Sequence, residues 1–183
     1  MIAQTEAARG AFKPVQKLLL LSGILSSLLY LVMNVVVPMQ WQGYSSASQA
    51  ISELSAIGAP TRTLWLVLCV PYSLLVTAFG WGVWTVARGN RPLRVVGGLM
   101  IAYGLTGFAW PFAPMHLRGA EFALTDAMHI ALSAVTVLVY LLALGFGAAA
   151  FGRRFRRFSI AIAAVLIATG ILTGLDGPRI AQD

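Results

Sequence analysis

Residues 18–37 read LLLLSGILSSLLYLVMNVVV, twenty positions without a charge. A helix rises about 1.5 Å per residue, so about 20 apolar residues cross a hydrocarbon core about 30 Å thick. Four more apolar runs follow, at 64–87, 95–112, 127–151 and 159–175. The third and fifth have 18 and 17 residues and can cross with little tilt. Inside hydrocarbon every backbone N–H and C=O needs an internal partner, so each run is expected to be a helix. The alternating ten-residue segments of a membrane β-barrel are absent. The expected fold is therefore all-α: a polytopic membrane protein, one transmembrane domain over 1–183 and a bundle of five helices.

Composition points the same way. The 183 residues are 58% hydrophobic and only 10% charged, and mean hydropathy is +0.81. A soluble domain is about half apolar and about a quarter charged. So few charges cannot cover a globule of this size, which excludes a soluble globule, a disordered chain and a coiled coil. The single cysteine, Cys69, excludes an intramolecular disulfide and a cysteine-type zinc site.

The net charge of +7 would suggest nucleic acid in a soluble protein. Here the basic residues cluster beside apolar runs, so membrane topology accounts for them and nucleic acid is excluded as a partner. Arg9, Lys13 and Lys17 precede the first run, Arg88, Arg91 and Arg94 follow the second, and Arg153, Arg154, Arg156 and Arg157 follow the fourth. Only Arg62, Arg118 and Arg179 fall on the other side, together with Glu53, Glu121, Asp126, Asp176 and Asp183; Glu6 alone joins the basic side. The positive-inside rule gives a multi-pass protein of the cell membrane, N-terminus cytoplasmic and C-terminus outside. The first run is longer than the 7–15 apolar residues of a signal peptide and reads as a retained helix.

Two outer loops follow from this arrangement, 38–63 and 113–126. In the first, Trp41 and Tyr44 suit the membrane interface. Ser46 and Gln49 match a capping box. Ala47, Ala50, Ile51, Leu54 and Ile57 recur at helical spacing, and Gly58 and Pro60 stop the pattern. A short amphipathic helix over the outer face is expected across 45–58, either capping the bundle or covering a site.

The stretch ISELSAIGAP, residues 51–60, resembles the I-S-E-L-x-A-x-G-A-P signature of the membrane proteins grouped as domain of unknown function 998. A looser relative of that signature marks the Frag1/DRAM group. Pro114-Met115-His116, the Asp126-x-x-His129 spacing and Gly174 with Arg179 also resemble the first family. The resemblance spans essentially the whole chain. It implies five or six membrane helices and no established activity; the lipid remodelling of some Frag1/DRAM proteins is analogy at one further remove.

Both histidines and five of the six acids fall on the outer side. Thr125 is the expected N-cap of the fourth helix, Asp126 suits the positive end of its dipole, and His129 lies one turn deeper on the same face. Three readings follow. His116, His129, Asp126 and Glu53 can hold a divalent metal, zinc or iron, if they converge. His129 oriented by Asp126 can act as a general base, with Ser52 as nucleophile. Or Asp126 and His129 form a polar pair that caps the helix and ties down the first loop through Glu53 or Ser52. Glu53, Ser52, Asn34, His116 and Arg118 are the expected binding residues of an outer site.

Elsewhere, Pro71 is expected to kink the second helix, and Tyr72 beside it can point a hydroxyl into the bundle. Gly97, Gly98, Gly104 and the Gly170-x-x-x-Gly174 pair suit close helix packing within the chain. No charge lies mid-helix, which argues against an ion pump. The expected function is non-catalytic or lipid-handling: binding an amphiphilic small molecule, membrane lipid or a membrane-protein partner at the outer face. A membrane-embedded hydrolase or metal-dependent enzyme using Asp126 and His129 is the alternative.

Overall fold

The structure, a computed structural model, describes residues 12–180, with side chains through 172. Glu6, Arg9 and Asp183 lie outside the described residues, as do the side chains of Asp176 and Arg179 and the surroundings of Gly174. Five long helices run α1 (Pro14–Val36), α2 (Arg62–Val86), α3 (Arg91–Thr106), α4 (Leu124–Ala150) and α5 (Arg153–Ile180). Among the described residues the only β pairing is an isolated parallel bridge between Ile57 and His116.

Local chemistry sets the helix ends. Pro14 opens α1, where its missing N–H costs nothing, and Pro38 follows its end. The turn between α2 and α3 uses Gly89 at φ +89, and the Asn90 side chain then caps α3 by accepting the Leu93 N–H at 3.1 Å. Arg94 lies over the Trp84 ring, 4.7 Å from its centre, at the same end of the bundle.

The helices pack mainly on their chain neighbours, α1 on α2, α2 on α3, α3 on α4 and α4 on α5. Between α2 and α3 backbone meets backbone: a Cβ added at Gly80 would stand 2.6 Å from Ile101 N, and one at Gly97 2.6 Å from Trp84 N. Gly98 and Gly104 also face α2, as their spacing predicts. Gly170 meets nothing within 4 Å, so it does not serve the packing expected of it.

Outward, large apolar side chains are bare: Leu18, Val67, Ile130 and Ile160 are 60–68% exposed. Water around so much apolar surface would cost far more than a domain's marginal stability. Four helices are long and apolar enough to cross a membrane, Pro14–Gln40, Arg62–Val86, Leu124–Ala150 and Arg153–Leu172, which marks a multi-pass membrane protein.

Three expectations need correction. The third helix has 16 residues rather than the 18 of run 95–112; it starts at Arg91 and ends at Thr106, and the chain then tightens into a 3-10 turn at Trp110–Phe112, where Pro111 cannot continue an α-helix. The fifth helix begins at Arg153, so the four arginines form its first turns and not a loop. The amphipathic α-helix over 45–58 is instead a turn followed by a five-residue 3-10 helix, Ile51–Ser55. Gln49 does bond back along the chain, but its Oε1 accepts from Ser45 N at 2.9 Å, one residue before the expected cap. The shorter helix drives Leu54 fully out of solvent, against Met33, Val37 and Trp65.

Replacing Gly97 by Leu is expected to destabilise the bundle by about 1–3 kcal/mol, as overpacking does. Gly145, with nothing within 4 Å of an added Cβ, is the control, and Gly145→Ala should leave thermal stability in detergent unchanged or slightly raised. Equal melting temperatures for Gly97→Leu and the parent would contradict the close α2–α3 contact.

Candidate functional site

The loop between α1 and α2 and the loop between α3 and α4 meet over the ends of α1, α2 and α4, and one carboxylate does most of the joining. Glu53 Oε1 accepts from Arg118 Nη2 at 2.6 Å and from Ala50 N at 3.0 Å; Oε2 accepts from Arg118 Nε at 3.1 Å and Gln49 Nε2 at 3.2 Å. Arg118 also donates to Ser48 O at 2.8 Å. The Glu53 side chain is 5% exposed, that of Arg118 30%. This is a bidentate, charge-assisted pair between residues 65 positions apart. Ile57 N to Met115 O at 2.8 Å adds a second tie between the same loops, and Thr61 Oγ1 to Leu54 O at 2.8 Å closes the first loop on itself.

Asp126 ties the second loop to α4. Its Oδ1 accepts from His116 N at 2.7 Å; its Oδ2 accepts from Ala123 N at 2.9 Å and lies 2.9 Å from His116 Nδ1. Ala123, not Thr125, is the N-cap, and Asp126 sits three residues inside it as the capping-box acid. The expected Asp126–His129 pair is not made. His129 Nδ1 instead lies 2.8 Å from Ala113 O, and its ring packs on Trp110 with centres 4.8 Å apart.

Beneath these loops lies a cavity of about 920 Å³. Glu53, Ser52, His116, Arg118, Asp126 and His129 all line it. Its wall continues down α4 to Ser133 and Thr136; Thr136 is ten residues past Asp126, about 15 Å deeper along the helix. Trp65, Tyr72, Tyr103 and Trp110 supply aromatic walls. Tyr72 does turn its hydroxyl inward, to Tyr103 Oη at 3.2 Å. A second hollow of about 440 Å³ shares both tyrosines.

Asn34 is not part of this wall. Its Nδ2 donates to Tyr30 O at 2.7 Å, satisfying itself within its own helix. The four candidate metal ligands do not converge either. Among the described residues no group of three or more His, Cys, Asp or Glu could hold a metal, because Glu53 is taken by Arg118, Asp126 by the second loop and His129 Nδ1 by a carbonyl. Nor does Ser52 hydrogen-bond to a histidine; its carbonyl accepts from Ser55 Oγ at 2.9 Å. Spacing could not disclose the long-range pairs of the site: His116 and Asp126 sit on a loop and a helix start, and the Tyr72–Tyr103 contact spans 31 residues.

The chain belongs to the family described as Protein of unknown function (DUF998), which it matches over residues 24–178. No curated protein and no solved structure matches it.

Burial works to raise the Glu53 carboxyl, but hydrogen bonds from Arg118, Ala50 and Gln49 outweigh it and hold it below the usual glutamate value. A carboxyl lowered by folding stabilises the fold above its unfolded value, about 4.3, and that stabilisation is lost as pH falls through the folded value. Glu53→Gln should lower stability at pH 7 by about 1–2 kcal/mol, since it keeps the shape but removes the charge that Arg118 faces. The gap between parent and Glu53→Gln melting temperatures should narrow as pH drops below about 4.3. A gap constant from pH 7 to pH 3 would contradict the ion pair's role.

Proposed function

We propose that this protein binds an amphiphile in the outer cavity, headgroup among the polar side chains of the loops and hydrocarbon chain along α4 toward Thr136. The supporting observation is the make-up of the wall: its charged side chains and histidines come from the two loops and the start of α4, and the rest is aromatic and aliphatic side chains with a few hydroxyls, reaching about 15 Å along α4. A concave site of about 920 Å³ suits a single small molecule better than a protein surface, which is flatter and larger. The chain is read as lipid-handling and non-catalytic. A photoreactive single-chain amphiphile should label α4 peptides around Ser133. Ser133→Phe, which fills the wall, should cut that labelling about fivefold or more, while Ala161→Phe on the exposed face of α5 should leave it unchanged. Labelling spread evenly over all helices and indifferent to Ser133→Phe would refute this reading.

One observation favours a second reading, a hydrolase. The Asp126 carboxylate 2.9 Å from His116 Nδ1 orients an imidazole at the cavity wall, as an acid does for a general base. In that reading the base is His116 rather than His129, with Ser52 on the same wall as nucleophile.

The topology belongs to the proposal as well. The protein is placed in the cell membrane with the N-terminus inside and five crossings. Residues 107–112 extend the 16-residue α3 toward the outer surface. The first turns of α5 place arginines at the positive end of a helix dipole, an adverse arrangement that anionic lipid headgroups on the inner leaflet offset. With Cys69 replaced by Ser, a membrane-impermeant thiol reagent applied to intact cells should modify Glu121→Cys and spare Arg154→Cys. The reverse pattern would overturn the orientation.

A further inference from the structure

We infer that the amphiphile's headgroup is cationic, a protonated amine; this rests on the amphiphile reading above. The whole chain carries a net charge of +7, yet the cavity wall holds three acids, Glu53, Glu121 and Asp126, against one base, Arg118. That base is already engaged: its Nε and Nη2 are directed to Glu53 and to Ser48 O. An electronegative pocket in a basic protein concentrates cations locally, because the pocket's own charges dominate its field.

The uncharged groups of the wall reinforce this selection. Ser133 Oγ gives its proton to His129 O at 2.8 Å, Thr136 Oγ1 to Leu132 O at 2.7 Å and Thr106 Oγ1 to Tyr103 O at 2.7 Å. Each hydroxyl has one proton, so these three offer the cavity only lone pairs. The histidines follow the same logic. Asp126 Oδ2 and Ala113 O can only accept, so Nδ1 of each ring gives its proton to the protein and not to the cavity. A ligand entering here meets these three hydroxyls as acceptors whose protons are already committed. A primary ammonium brings three N–H donors and a positive charge, and Trp65, Tyr72 and Trp110 in the same wall are the residue types whose rings attract a cation. An anionic headgroup would add acceptors to acceptors and charge to like charge.

The test uses the full chain in phosphatidylcholine nanodiscs at pH 7.5, titrated with three chain-brominated C18 amphiphiles: an amine, an alcohol and a sulfonate. Quenching of tryptophan emission is read against empty nanodiscs, since Trp65 and Trp110 line the cavity. The amine should saturate at a lipid mole fraction at least tenfold below the sulfonate, with the alcohol between them. Glu121 is exposed, so Glu121→Lys should fold normally, weaken the amine threefold or more and narrow its lead over the sulfonate. A sulfonate or alcohol that binds as tightly as the amine, or an amine unaffected by Glu121→Lys, overturns the inference while the amphiphile reading stands. If none of the three saturates, the amphiphile reading falls and the inference falls with it.

Discussion

Glu53 is the point on which the architecture of the loop end of the bundle turns. Its carboxylate is buried, and a buried charge is tolerable only when paired and fully hydrogen-bonded. It meets that requirement by recruiting a guanidinium from the other loop and amides from its own. Two segments that share no secondary structure beyond a single bridge are thereby fixed relative to each other. The adjacent Leu54, wholly buried against Met33, Val37 and Trp65, anchors the same turn to α1 and α2. Charge above and apolar contact below hold the roof that makes the space beneath it a cavity.

The membrane explains why this machinery lies at one end. Between the interfaces the solvent is hydrocarbon, which demands helices and forbids unpaired polar groups. Within the bundle, several polar side chains satisfy themselves locally, as Ser26 does on Gly23 O, Asn34 on Tyr30 O and Thr136 on Leu132 O. The same economy shapes the cavity, because a hydroxyl that donates to its own helix keeps its lone pairs for whatever comes beside it.

Much of the fold was legible in the sequence because hydrocarbon imposes one-dimensional rules. The apolar runs located the five helices, and the glycines of 97–104 marked the face that α3 turns to α2. Boundaries were less legible where a local signal competed with tertiary demand. Thr125 looked like a cap, but the cap position fell to Ala123 because Asp126 reached both back to Ala123 N and across to His116. The amphipathic stretch at 45–58 had helical spacing, yet burying Leu54 while feeding Glu53 to Arg118 shortened it to a 3-10 turn. The site was legible as a set of residues and not as a set of pairs. Glu53, Ser52, His116, Arg118, Asp126 and His129 do share one wall; which acid meets which base depends on loop closure over tens of residues, where no periodicity operates.

The central claim is that this wall encloses a bound amphiphile. Native mass spectrometry of the protein released directly from its own membranes tests it most directly. An occupied cavity gives one retained hydrophobic adduct per chain, lost from a variant whose cavity has been filled. A chain that emerges bare, or one with the same ladder of adducts whether or not the cavity is filled, would contradict it.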